Sequence, residues 1–535
     1  MSPDRWQTGT MHMHASGRTW AVATPHRLAT EAAGVAFERG GNAVDAALAA
    51  ATTLAVVYPH MCGVGGDLFA LVHHPAGDVV AINASGRAPA AVDAARVASP
   101  GQHRMPEHGP ASVTVPGAVS GWETLHRQGA NLSWADAFTA AVAYAHGGIT
   151  VAPSVAATLE EYADRLRRDA GLSAVFFPGG EAAREGAALR QPALGSTLEA
   201  IATQGTGVWY GGELGERYAD GLRALGAPID VADMAGHRAD LGTPLRARFG
   251  EVDVLVHPPN SQGFVLLEAL SLIERMGIDP DPFGPDAATI AHIARAAARD
   301  RDRHLADPER MLVHPSTLLD DGHLGAVADE VRAGVPGPPP ALTPRSGDTI
   351  GLVTADAEGR GVSLIQSLYD GFGSGLLEPA TGVVAHSRGA GFTLMPGHPN
   401  RLEGGARPAH TLMPAIVQRG GRFEASLGTM GGSAQPQILA TAITRVFALG
   451  TGAADAVAMP RWLVSGMDAE GPTPFVLAES DLPASTLAAL KDAGYRVDTV
   501  GERDAAVGHA HMIHAVPGGF DAGSDPRADG GALAS

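Results

Sequence analysis

The chain is almost without lysine and almost without cysteine: among 535 residues, Lys491 is the single lysine and Cys62 the single cysteine. One cysteine cannot form an intrachain disulfide. One lysine leaves Schiff-base, Ser–Lys and phosphate-loop chemistries with almost no candidate residue. Positive charge is scarce in general, since 38 Lys and Arg against 57 Asp and Glu give a formal net charge of −19. That balance argues against a nucleic-acid or anionic-membrane surface, which needs clustered basic side chains. No apolar run is long enough to read as a membrane span, and the opening MSPDRWQTGTMHMHASGRTW lacks the apolar core of a secretory signal. A soluble cytoplasmic protein is the default expectation.

Several catalytic signatures are missing too. There is no G-x-S-x-G elbow, no H-E-x-x-H, no P-loop and no well-formed G-x-G-x-x-G. His12 with His14, and His509 with His511, form H-x-H pairs. Without acidic or cysteine ligands in a recognisable setting they read as surface or core-edge histidines, so neither a metal nor a cofactor is expected.

Present in quantity are Gly (69) and Pro (38), and an apolar fraction of 45% that can build a substantial core. Thr24-Pro25 reads as the start of a helix that Gly40-Gly41 stop. Asn42 to Asp45 reads as a capping box opening a second, Ala-rich helix to about Val57. The stretch His60–Phe69 is a Gly-rich turn into a strand, and residues 131–300 look mostly helical. The run GVPGPPPALTPR (334–345) suits neither a helix nor a central strand and reads as an exposed connector. Beyond it, Asp348–Asp356, Gly361–Tyr369, Thr411–Arg419 and Phe423–Gly428 are strand-like, and an Ala-rich helix follows Gly432. A helix-rich first part thus leads through an exposed linker into a β-rich second part, in an α+β chain.

Two positions invite a chemical reading. A threonine hydroxyl is a poor nucleophile unless a base sits beside it, and its own α-amine, with a pKa near 8, is one such base. Thr349 would gain that amine only if the 348–349 bond were cut; an ordinary strand threonine is the competing reading. In GTMGGS (Gly428–Ser433), Gly431 and Gly432 lie between a strand and a helix, where backbone N–H groups and the helix dipole favour an oxyanion. A plain tight turn is the alternative there.

The stretches ATPHRLATEAAGVAFERGGNAVDAA (Ala23–Ala47), YPHMCGVGGDLF (Tyr58–Phe69), SVTVPGAVSGW (Ser112–Trp122), GDTIGLVTAD (Gly347–Asp356), FGSGL (Phe372–Leu376), GTMGGS and AGSDPRADGG (Ala522–Gly531) together resemble the γ-glutamyltransferase (γ-glutamyltranspeptidase) family in order and spacing. The resemblance implies an N-terminal-nucleophile hydrolase fold, a four-layer αββα sandwich. It implies a proenzyme that cuts itself into a large chain, 1–348, and a small chain, 349–535, which stay associated; a homodimer is left open. Thr349 would be the processing residue and then the nucleophile, Ser367 the support of its amine, and Gly431 and Gly432 the oxyanion pair.

The departures from the family pattern concern substrate. HSRGAGF (His386–Phe392) lacks the acid that usually holds the substrate amine, and Gly391 stands at that position. Tyr369 stands where an asparagine is common, and the hydroxyl pair near the substrate carboxylate is His410-Thr411. Arg87 is displaced from the usual arginine position, and the interval from Phe392 to His410 is short. Arg87 and Arg388 are the candidates for bidentate carboxylate binding. These features resemble a divergent branch that includes oxamate amidohydrolase-like proteins. The implied activity is amide hydrolysis or acyl transfer on γ-glutamyl compounds such as glutathione, or on related small-molecule amides. A hydrolase of a small carboxylate amide such as oxamate is the alternative, and a non-catalytic ligand-binding relative the second.

Overall fold

The computed structural model describes residues 12–99, 101–334, 348–465 and 474–535. The proline-rich connector lies outside these residues from 335 onward. Fourteen strands build the two main sheets: β1 (His14–Gly17), β2 (Trp20–Thr24), β3 (Asp67–His73), β4 (Val79–Ala84), β5 (Asp240–Gly242), β6 (Leu245–Phe249), β7 (Val252–Val256), β8 (Asp348–Asp356), β9 (Gly361–Tyr369), β10 (Ala415–Arg419), β11 (Arg422–Thr429), β12 (Ala510–Val516), β13 (Gly519–Ser524) and β14 (Gly531–Ala534). One seven-stranded sheet runs β14–β2–β8–β9–β3–β4–β5 and the other β1–β13–β12–β11–β10–β7–β6. Every pairing in both is antiparallel. Half of these strands come from the part ahead of residue 349. Apart from the strand expected after the Gly-rich turn at His60–Phe69, the sequence reading of that part as helix-rich missed them because their apolar runs are short and several pair with segments far along the chain.

Six helices bear on the site: α1 (Arg27–Glu38), α2 (Ala43–Val57), α3 (Gly263–Met276), α4 (Ala287–His304), α5 (Asp321–Arg332) and α6 (Gln435–Phe447). Helix α1 begins later than the sequence suggested. Thr24 closes β2, and His26 is the cap, its Nδ1 accepting the Leu28 N–H at 3.2 Å. The Asn42/Asp45 capping box forms as read. All of α2 is buried, and its alanines let a helix without a polar face lie flat on the first sheet.

Strand alternation sorts the core into layers. Ile350, Leu352 and Leu364 point outward to α1 and α2. Val254, Leu427 and Met512 point to α3 and α6 on the opposite side. Between the sheets lie Ala23, Val353, Ile513 and Ala522, with Phe69, Ile365 and Leu412 beyond them. The result is the αββα sandwich that the resemblance implied.

Candidate active site

Thr349, Ser367 and Asp67 form one row across three adjacent strands. Register places Thr349 opposite Ser367, and Ser367 opposite Asp67. By the same alternation all three share the inter-sheet face, with exposures of 0%, 1% and 0%. The ladder between β8 and β9 slips at this point: Asp348 pairs with Tyr369 but Thr349 with Ser367, so Leu368 is the extra residue. Tyr369 itself holds φ 85°, a left-handed conformation uncommon for a bulky side chain.

A relay of hydroxyls results. Thr349 Oγ1 donates to Ser367 Oγ at 3.0 Å, and Ser367 Oγ donates to the Asp348 carbonyl at 2.6 Å. The Tyr369 N–H donates to Ser367 Oγ at 2.7 Å and orients it. The carbonyl of the 348–349 peptide is therefore polarised by the hydroxyl that also receives the threonine proton. Burial, with Asp370 and Glu161 near, pushes the Asp348 carboxyl up to about 8.

Gly351, two residues along β8 on the same face, lies against the second sheet where β11 ends: a Cβ there would meet Gly428 C and Thr429 N at 2.6 Å. The turn that follows contains Gly431 (φ 141°) and Gly432 (φ 53°), both in the region that only glycine adopts readily. Gln262 Nε2 donates to the Gly432 carbonyl at 3.0 Å and to the Thr411 carbonyl at 2.8 Å. Arg301 Nη1 donates to the Ser433 carbonyl at 3.1 Å. The turn is thus held by its carbonyls, and the N–H groups of Gly431 and Gly432 donate to no described residue.

The substrate-side candidates separate into two environments. Arg388 is 1% exposed; its Nη1 donates to Thr411 Oγ1 at 3.2 Å and its guanidinium lies 4.4 Å from the Tyr369 ring centre. Its Nε and Nη2 are buried without any hydrogen-bond partner, and no carboxylate among the described residues forms an ion pair with it. Burial lowers Arg388 to about 10, against the fields of Tyr369 and Asp67, so it stays charged at neutral pH. Arg87, by contrast, donates to the Gly405 carbonyl at 2.9 Å, lies 3.4 Å from Asp307 and is 38% exposed.

His410 is the member of the hydroxyl pair that changes character. Its Nε2–H donates to Asp67 Oδ2 at 3.0 Å, and its Nδ1 accepts the Leu412 N–H at 3.3 Å. Burial and the nearby Arg388 push it down to about 3, leaving it neutral. Burial alone would raise the Asp67 carboxyl, but His386, His410 and Arg388 outweigh it and hold it at about 2. Asp67 sat in a motif that the sequence made conspicuous, yet nothing local to that motif pointed to Ser367 or His410 as its neighbours. Gln262 and Arg301 carried no sequence signal at all.

A small cleft opens beside these groups, lined in part by Gln262, Arg301, His398, Asn400, His410 and Thr411. Gly391 is on its wall. A side chain at 391 would meet the Ala409 carbonyl at 2.8 Å, so the packing here resists an acid at that position.

A family model for gamma-glutamyltranspeptidase matches residues 29–535. The chain is 37% identical to the oxamate amidohydrolase proenzyme of Klebsiella pneumoniae subsp. pneumoniae, over 97% of this chain and 99% of the relative. It is 34% identical to a glutathione hydrolase-like proenzyme of Bacillus subtilis, over 98% of this chain and 100% of the relative. Among solved structures, the cephalosporin acylase from Bacillus halodurans superposes with a TM-score of 0.90 at 31% identity, covering 100% of this chain and 99% of that one. Among the described residues no helix is long and apolar enough to cross a membrane. With the match running nearly end to end and the layered architecture shared, the chain belongs to the γ-glutamyltranspeptidase family and has the N-terminal-nucleophile hydrolase fold.

Proposed function

We propose that this chain is a self-processing amidohydrolase whose substrates carry a carboxylate on the acyl side and need no ammonium group beside it. One observation carries the substrate half: Arg388, a buried cation with two unpartnered nitrogens and no ion-pair partner among the described residues. A buried charge without a counterion is costly, and a planar carboxylate fits a free guanidinium edge. Gly391 and the packing around it leave that wall without the acid that would hold an ammonium. Oxamate-like and dicarboxylic half-amides fit this better than γ-glutamyl compounds, which remain the second reading because the family includes glutathione hydrolases.

In the precursor, Thr349 Oγ1 attacks the Asp348 carbonyl carbon while its proton passes to Ser367, which already donates to that carbonyl oxygen. The C–N bond breaks, the threonine nitrogen takes up a proton, and water hydrolyses the resulting ester. This releases 1–348 from 349–535 and gives Thr349 a free amine. In turnover, that amine takes the hydroxyl proton as Oγ1 attacks the substrate amide. The Gly431 and Gly432 N–H groups receive the oxyanion. The leaving nitrogen departs with the proton held by the amine, and water or an acceptor amine resolves the acyl ester. Arg388, with Thr411 and Tyr369 positioning it, anchors the carboxylate; Arg87 lies toward the rim and His410 fixes the wall through Asp67.

Intact mass of purified protein should show two fragments divided between 348 and 349, and Thr349→Ala should remain whole and inactive. Active wild type that stays uncut would refute the processing scheme. On the cleaved enzyme, kcat/KM for ammonia release from oxamate or succinamate should exceed that for p-nitroaniline release from the γ-glutamyl anilide by at least about tenfold; a reversed ratio would favour the second reading.

A further inference from the structure

Three helices of the outer layer over the second sheet converge on Glu268 of α3, Asp300 of α4 and His323 of α5. Glu268 is 0% exposed, and neither of its carboxylate oxygens has a hydrogen-bond partner. It sits in a leucine-rich helix where an unpaired carboxylate is expensive. His323 Nε2 lies 2.8 Å from Asp300 Oδ2 and 3.7 Å from Glu268 Oε1. One ligand atom from each of the three lies within 4.8 Å of the others.

The nearest cation is already engaged. Arg299 Nε is 3.8 Å from Asp300 Oδ1, but both of its terminal nitrogens face Glu330, with Nη2–Oε2 at 2.8 Å. Two buried carboxylates and an imidazole therefore share a pocket in which Arg299 pairs with Asp300 only at 3.8 Å and no described arginine or lysine pairs with Glu268. A metal ion with bonds of about 2.0–2.2 Å holds neighbouring ligand atoms about 2.9–3.5 Å apart, between octahedral and tetrahedral limits. The spacings of 2.8 and 3.7 Å bracket that range. The His323 side chain is 25% exposed, which leaves a way in and room for a water ligand. Imidazole with two carboxylates suits Zn²⁺ or Mn²⁺ better than Mg²⁺ or Ca²⁺, which prefer all-oxygen sets.

We propose that Glu268, Asp300 and His323 bind one divalent transition-metal ion of the zinc–manganese class, stapling α3, α4 and α5 together. The staple lies next to the catalytic layer. Asp300 directly precedes Arg301, which donates to Gln262 Oε1 at 3.3 Å and to the Ser433 carbonyl, and Gln262 heads α3 and holds the Gly432 carbonyl. The ion would stiffen the helices behind the Gly431–Gly432 turn without touching substrate.

The competing arrangement is a proton in place of the ion, because burial pushes Glu268 up to about 7. The test is therefore run at pH 8. Full-length processed enzyme is dialysed against a chelator and titrated with Zn²⁺, Mn²⁺ or Mg²⁺ during thermal unfolding, with metal content measured by mass spectrometry. Zn²⁺ or Mn²⁺ should bind at about one per chain and raise Tm by several degrees, with Mg²⁺ far weaker. Glu268→Gln and His323→Gln should each remove the shift and weaken binding at least tenfold while keeping the circular dichroism of the apo protein. No shift with either ion, or a shift that survives in both variants, would overturn the proposal. If neither variant folds, the visible spectrum of Co²⁺-loaded wild type decides: ligand-field bands of a nitrogen–oxygen site support it, and the spectrum of the free aqua ion refutes it.

Discussion

Two buried arginine sites in this molecule are built in opposite ways. Arg527 donates through Nε to Glu479 at 2.8 Å and through Nη1 to Asp525 at 2.8 Å, and its remaining nitrogen meets Glu479 and the Met459 carbonyl. Arg461 completes the set on Asp525 at 2.9 Å and on the carbonyls of Val507 and Gly508. Two cations meet two carboxylates, and these side chains are at most 3% exposed. Arg388 is as deeply buried, yet has a hydroxyl and an aromatic face where the other site has carboxylates. Burial alone does not distinguish a structural charge from a binding charge; the state of the hydrogen-bonding capacity does. The AGSDPRADGG stretch, so conspicuous in sequence, supplies Asp525 and Arg527 and belongs to the first kind.

Breaking each site should give opposite signatures. Arg527→Met leaves Asp525 to Arg461 alone and Glu479 with Arg503 at 3.6 Å as its remaining cation, and should cost about 3–5 kcal/mol in denaturant unfolding. Its kcat/KM should change little in whatever fraction remains folded. Arg388→Met removes a charge without a carboxylate partner, so unfolding stability should hold or rise. Its kcat/KM for a carboxylate-bearing amide should fall about 100-fold, or about 3 kcal/mol, with KM taking much of the change. An uncharged amide of the same length should be insensitive to that substitution. If Arg388→Met unfolds the protein as Arg527→Met does, the two sites are not different in kind.

The pH dependence of stability sharpens the same contrast. In the uncut Thr349→Ala precursor, native Asp348 keeps its proton up to about pH 8, whereas an unfolded aspartate releases it near 3.8. The native state then holds more protons between these values, so precursor stability should fall as pH rises from about 4 to about 8. Adding Asp348→Asn should flatten that slope. Asp525 is the reverse case: burial raises its carboxyl, but Arg461 and Arg527 outweigh burial and hold it below its usual range. Its contribution is present above the ordinary aspartate pKa and is lost as acid protonates it. Denaturant unfolding across pH, with and without Asp348→Asn, measures the difference.

Much of the second part of the chain is legible locally. The strand-like runs Asp348–Asp356 and Gly361–Tyr369 become paired strands with those bounds. The GTMGGS segment becomes the strand-to-helix turn expected of it, because two adjacent positive φ angles require glycine. The first part is less legible. β6 and β7 fall within a stretch that reads as helical, since two strands of five residues form a hairpin that is fixed in a sheet only by β7 pairing with β10 from the opposite half of the sequence. Arg87 and Arg388 look equivalent as candidate carboxylate ligands, and only their surroundings separate them: Asp307 and the Gly405 carbonyl already meet one, and no carboxylate among the described residues pairs with the other.

The sequence by itself determined the family, the strand that carries Thr349, the hydroxyl of Ser367 and the glycines at 431 and 432. These rest on residue identity and short-range pattern. Tertiary structure alone decided that Thr349, Ser367 and Asp67 share one face of three strand ends, that Asp67 is taken by a neutral His410, and that Arg388 is left with two free nitrogens. It likewise decided that Glu268, Asp300 and His323 meet. Each of these depends on a register or a helix packing between segments far apart in the chain, where burial and the number of unsatisfied partners, rather than residue type, set the chemistry.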